Sequence, residues 1–195
     1  MRRFFFTPLA AAALLGFSLY DADPPEGWFL AGNNRDAYES GVTQDADRSG
    51  AVAYLASTAP APEGFGTLMQ VFDADAFRGK RVRMTAHVRT EGVSEWAGLW
   101  VRVDGAGTPA PALAFDNMQD RPISGTSDWA PYSVVVDVPE TAAAVGFGAL
   151  LDGPGRVLLD DVAFEEVDES VPTTGQTPPE GPSYPARPMN LDFEG

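Results

Sequence analysis

From Arg81 to Thr90 the chain alternates without a break. Val82, Met84, Ala86 and Val88 are set against Arg81, Arg83, Thr85, His87 and Arg89. A period of two predicts a strand with one face on a core and one toward water. Trp96 to Asp104 repeats the pattern, with Leu99, Val101 and Val103 against Trp100, Arg102 and Asp104. Shorter strands are predicted near Tyr38 to Thr43, at Ala51 to Ser57, Phe65 to Phe72 and Leu113 to Phe115. A Pro-containing loop, Thr58 to Gly64, and a turn, Asp73 to Lys80, punctuate them, and Asp116 to Asp128 reads as a loop. Three more strands close the series: Tyr132 to Val138, Val145 to Leu151 and Val157 to Phe164. Pro139-Glu140 and Asp152-Gly153-Pro154-Gly155 separate them with turn chemistry. So many short strands, with no helical period between them, predict an all-β antiparallel sandwich. Leu99, Val101, Val103, Val134, Val136, Phe147 and Val162 are its expected core.

Length and composition narrow the classes. At 195 residues the chain holds one domain with appendages, and its core needs no disulfide staples; it has no cysteine. Thirteen basic residues against 28 acidic ones set the formal charge at -15. Such a surface repels phosphate backbones, so nucleic acid is not an expected partner. Residues 1–21 begin Met1-Arg2-Arg3 and run apolar from Phe4 to Tyr20, which reads as a secretory signal or, alternatively, as an apolar anchor. On the first reading the protein is exported, with no stable membrane insertion after cleavage. Residues 22–167 are the expected sandwich. Residues 168–188 are rich in Pro, Thr, Gly and Ser and read as a linker. Residues 189–195 regain an apolar alternation, Met189-Asn190-Leu191-Asp192-Phe193-Glu194-Gly195.

Five segments carry a resemblance: G-W-F-L-A-G-N-N from Gly27, F-G-T-L-M-Q-V-F from Phe65, W-A-G-L-W-V-R-V-D from Trp96, F-D-N-M-Q-D-R-P-I-S-G-T-S-D-W from Phe115, and the closing run Trp129 to Glu165. They resemble the galactose-binding-like jelly rolls of carbohydrate-binding modules, and a group of small bacterial proteins of which some are labelled transcriptional regulators. The resemblance implies a jelly-roll fold and a binding role. No amphipathic helix pair and no basic helix accompanies it, so the regulator label lacks a DNA-binding element in this chain. In such jelly rolls an N-L-D-F-E strand commonly comes first; here it is Asn190 to Glu194. The chain is then circularly permuted, with the last strand returning to the same sandwich, or the segment opens another module.

The candidate chemistry is that of recognition. Trp100, Arg102 and Asp104 share one strand face, and His87 and Arg89 share another. If the two strands are neighbours, an indole, a guanidinium and an imidazole meet on one surface. An aromatic face packs on the C–H face of a sugar, and planar charged groups fix its hydroxyls. Gln70 and the loop residues Asp116, Asn117, Gln119 and Arg121 complete the candidate ligand set. The competing reading makes Trp100 a core residue and the charges a solvated face. Asp160 and Asp161 fall on opposite faces by alternation, which suits no two-carboxylate catalysis. No cofactor is required. The resemblance implies that one of them, with Glu194, holds a structural calcium ion, for which all-oxygen ligands are suited; the other reading is an acidic pair bonded to backbone. No nucleophile elbow or phosphate loop is present, and a lone histidine, His87, makes no His-based metal site. The expectation is a non-catalytic module for a glycan or related polyhydroxylated ligand. The alternative is an effector-sensing or protein-interaction domain, regulator-associated, without sugar binding.

Overall fold

The structure is a computed structural model that describes residues 23–175. Nine strands follow in order: β1 Phe29–Gly32, β2 Tyr38–Gln44, β3 Ala51–Ser57, β4 Phe65–Asp73, β5 Lys80–Gly105, β6 Ala112–Asp116, β7 Ile123–Val138, β8 Ala142–Asp152 and β9 Arg156–Val167. All pairings are antiparallel, and the ladder runs β1-β4-β8-β5-β9-β3-β2, with β6 and β7 also paired to β5.

β5 is the axis of the fold. The pattern reads Arg81 to Thr90 and Trp96 to Asp104 as two strands; they are one, 26 residues long. Its first half pairs with β7 and β9, and its second half with β8 and β6. Register shifts at Val88/Thr90, Thr90/Val93 and Val93/Ala97 mark the passage between the halves. Bulges add residues to one strand and bend it, so one chain segment serves both layers. The turn after β8 fits into this bend. Gly155 sits at φ +141, and a Cβ there would lie 2.7 Å from Val93 Cα, a space and a conformation open only to glycine.

The two halves bury one core between them. Val82, Met84, Ala86 and Val88 from the first half and Leu99, Val101 and Val103 from the second belong to one buried cluster. Phe147 on β8 and Phe164 on β9 meet across the layers edge to face, with centroids 4.9 Å apart, and Phe72 of β4 packs against both. The expected core residues are all in this cluster or, for Val162, packed against it. Leu99 is 1% exposed. Leu99→Ala should therefore cost about 2–5 kcal/mol, as a cavity that rigid strands cannot close. Urea denaturation reads this directly, and an unchanged midpoint would refute the placement.

Two further differences from the pattern concern polar backbone. The stretch after Asp116 reads as a loop to Asp128, yet β7 already begins at Ile123, where Ile123, Gly125 and Ser127 pair with the bend of β5. Ser, Gly, Thr and Asp dominate those residues, so no apolar alternation announces the strand. Residues 168–175, the first part of the expected linker, are tied to the sandwich. The Thr174 amide donates to the Val135 carbonyl at 2.9 Å, and the Val135 amide donates to Thr174 Oγ1 at 2.7 Å. Arg81 Nη1 donates to the Glu169 and Val171 carbonyls. The signal-like start at 1–21, the remainder of the linker and the Asn190 to Glu194 strand lie outside the described residues.

Candidate functional site

The outer face of the β1-β4-β8-β5-β6 layer is built from cross-strand rows, because residues opposite one another in register share a face. One row is Ala31, Thr67, Leu150 and Gly98; the next is Phe29, Met69, Gly148 and Trp100; the third is Val71, Gly146, Arg102 and Phe115. Gly146 and Gly148 place two side-chain-free positions side by side on β8. The Trp100 indole leans into that trough, and a Cβ on Gly146 would touch its ring at 3.4 Å. A groove of about 430 Å3 opens over this surface. Trp100 and Gly146 line its floor, Phe65, Val71 and Phe115 its apolar sides, and Arg102, Asp104 and Asn117 its polar side.

Trp100 is the floor rather than a projecting platform. It is 9% exposed, and its Nε1 donates to Thr67 Oγ1 at 2.7 Å; Thr67 Oγ1 in turn donates to the Ala149 carbonyl at 2.9 Å. The exposed apolar surface comes from other residues. Among the described residues the large hydrophobics that stand exposed are Val71 at 49%, Phe29 at 44% and Phe115 at 39%, and all three lie on this face. Single exposed apolar residues are ordinary, but a cluster of them around a concavity marks an interaction site.

The structure brings together Trp100, Arg102, Asp104 and Asn117 of the candidate set. It does not bring His87 and Arg89 to them. These two sit in the first half of β5, opposite Asp160 and Leu158 of β9, and so belong to the other layer. There they join a separate polar network. Arg48, in the β2–β3 turn, donates from Nε to Asp160 Oδ2 at 2.8 Å and from Nη2 to Asp161 Oδ2, and its guanidinium stacks on Trp129 at 5.0 Å. His87 Nδ1 lies 3.3 Å from Asp161 Oδ2. Arg89 Nη1 and Trp129 Nε1 both donate to Asp45, whose side chain is 6% exposed. Burial pushes the Asp45 carboxyl up, but the bonds from the Asp47 amide, Trp129 and Arg89 outweigh it and hold it below the usual carboxylate range.

Alternation assigns Asp160 and Asp161 to opposite faces, yet both reach the same guanidinium. The ladder slips between Thr85 and His87, and Asp161 takes φ +51. The bulge cancels the alternation, and Arg48 supplies the positive charge between the two carboxylates. Among the described residues no three His, Cys, Asp or Glu side chains gather as a metal site; Glu194 lies outside them.

The other candidates do not line the groove. Gln70 shares the core-facing parity of Leu68 and Phe72, and its Nε2 donates to the Gly27 carbonyl at 3.2 Å. Gln119 is exposed on the loop, where its amide donates to Asn117 Oδ1 at 3.2 Å. Asp116 is 5% exposed and organises the loop. Arg121 engages both its oxygens, the Met118 amide donates to Oδ1 at 2.9 Å, and Thr174 Oγ1 donates to Oδ2. Burial raises the Asp116 carboxyl; the bonds from Arg121, Thr174 and Met118 overcome it, and the net direction is down.

Phe29, Phe65, Met69, Val71 and Phe115 were not among the expected ligand residues. In F-G-T-L-M-Q-V-F both parities are largely apolar, so alternation cannot say which faces out.

No protein-family model matches the chain. The chain is 45% identical over 171 residues to a Bacillus subtilis (strain 168) protein named as an uncharacterized HTH-type transcriptional regulator, YbfP; the match covers 87% of this chain and 57% of that protein. The chain thus spans little more than half the length of that relative. In structure it is similar to the CBM22-1 xylan-binding domain of Paenibacillus barcinonensis Xyn10C, with a TM-score of 0.53 and 14% identity over 74% of this chain and 88% of that one. The fold is the jelly roll of carbohydrate-binding modules. A cyclase from Fischerella sp. shares it, with a TM-score of 0.50 and 16% identity over 75% of this chain and 86% of that one. An enzyme on the same scaffold means that function has to be argued from the site.

Proposed function

We propose that the chain is a non-catalytic binding module that takes a glycan, or a ligand of similar polyhydroxylated chemistry, in the groove over Trp100 and Gly146. One observation carries the reading: the exposed large hydrophobics of the described residues are gathered on one sheet face, around a groove that also offers Arg102, Asp104 and Asn117. Apolar surface covers the C–H faces of sugar rings, and a few convergent polar groups orient their hydroxyls. The xylan-binding domain of the same fold adds support by analogy. No nucleophile–base pair lines the groove, so nothing in it favours catalysis over retention. An apolar start behind two arginines accords with an exported protein. Among the described residues no helix is long and apolar enough to cross a membrane.

A second reading is favoured by the 45% identity to a protein named as a regulator. On it, the same groove senses an effector within a longer protein. The two readings differ in ligand, not in place.

The test is a glycan array followed by calorimetry with a variant that alters the face and spares the core. Phe115 is 39% exposed, so Phe115→Ala should leave the melting temperature within a degree or two and weaken glycan binding at least tenfold. Unchanged affinity for a bound glycan would remove the groove from the reading, and a blank array would favour the sensor.

A further inference from the structure

Arg102 and Asp104 are the charged side chains of the groove lining. They lie two residues apart on β5, hence on one face, and Arg102 Nε donates to Asp104 Oδ1 at 2.8 Å. Their side chains are 44% and 24% exposed. Among the described residues the terminal Nη1 and Nη2 of Arg102 make no hydrogen bond, and neither does Asp104 Oδ2. The couple therefore offers a rigid donor edge beside an acceptor oxygen, with no net charge. Gly146 stands next to Arg102 in the cross-strand row and puts no side chain in the way.

From this we infer that the Arg102–Asp104 couple makes the groove selective for uncharged polysaccharide over chains bearing uronic acid or sulfate. The inference rests on the glycan reading and adds its ligand class. A vicinal diol is the natural partner of a donor beside an acceptor, since each hydroxyl accepts one bond and donates another. An anionic ligand meets two penalties. It meets a guanidinium whose charge Asp104 already compensates, beside a carboxylate oxygen that repels it, and it approaches a protein of formal charge -15. A polar pair that is satisfied by one partner and left unmatched by another discriminates strongly.

The experiment sets neutral xylo- and cello-oligosaccharides beside oligogalacturonates, on an array and by calorimetry at two salt concentrations, with folding of each variant followed by circular dichroism. The wild-type chain should bind neutral members only, with affinities that change less than twofold with salt. Asp104→Asn keeps the shape and removes the compensating charge. It should lose about tenfold toward the neutral ligand and gain at least tenfold toward hexagalacturonate, with a gain that salt erodes. Arg102→Lys loses the planar edge and should bind the neutral ligand about tenfold more weakly. Preference of the wild-type chain for the uronate, or an Asp104→Asn variant with unmoved preference, overturns this inference and leaves the glycan reading standing. Binding to no oligosaccharide at all overturns both.

Discussion

Trp100→Ala should destabilise the domain by about 3–5 kcal/mol, the range for truncating a buried aromatic side chain. At 9% exposure the indole is packed like core although it lies outside the sandwich interior. Its Nε1 bond to Thr67 is lost as well, and the trough over Gly146 becomes a void. This departs from the reading of Trp100 as an open ligand platform, on which its removal would cost little stability. Trp100→Phe separates the two roles. It keeps a ring on the glycine floor and drops only the indole N–H, so it should cost about 0.5–1.5 kcal/mol and leave ligand binding within severalfold. Denaturant titration of both variants beside calorimetry gives the answer. An alanine variant of wild-type stability would show that the indole is not seated on β8.

Asp116→Ala should cost about 1–3 kcal/mol, the penalty for leaving buried donors without their acceptor; Arg121 is part-exposed and keeps Asp120 at 2.8 Å. Arg121 would lose its bidentate contact, while the Met118 amide and the Thr174 hydroxyl would lose an acceptor. Two segments meet at that carboxylate: the loop after β6 and residues 168–175. The same group makes a pH prediction. Its carboxyl in the folded protein titrates below its ordinary value of 3.8. A depressed folded value means that the folded state prefers the carboxylate, so the contribution is complete above the unfolded value and is lost as pH falls through the folded one. Wild-type stability should therefore drop on acidification below about pH 4, the ordinary carboxylate range. Asp116→Asn should be less stable near neutrality and show a flatter profile in that acidic window. Thermal melts from pH 3 to 7 measure both slopes, and parallel profiles would refute the assignment. Asp45, held down in the same sense by Trp129 and Arg89, adds to the wild-type slope in both proteins.

Much of the fold was legible because strand geometry has a strict period of two. Within Arg81 to Thr90 and Trp96 to Asp104, alternation alone separated core from surface, and the buried cluster agrees position by position. Turn residues marked most strand ends for the same local reason: their backbone preferences need no distant partner. The jelly-roll class followed from strand frequency and the resemblance. What alternation could not say is which strands are neighbours. It treated β5 as two strands, and only the bulges between Val88 and Ala97 show one strand passing from layer to layer. That passage puts His87 and Arg89 on one outer face and Trp100, Arg102 and Asp104 on the other. His87 and Arg89 were separated from the rest of the expected sugar surface by a bend with no apolar signature. Likewise β4 is apolar on both parities, so Phe65 and Val71 became groove residues only once Leu68 and Phe72 had taken the inside. Asp160 and Asp161 were assigned opposite faces by a rule that holds for regular strands, and the positive φ of Asp161 suspends it. Local chemistry along the chain determined the strands, the turns and most of the core. Tertiary pairing decided which outward side chains share a face, because that depends on register between segments far apart in sequence, and a binding site is made of such faces.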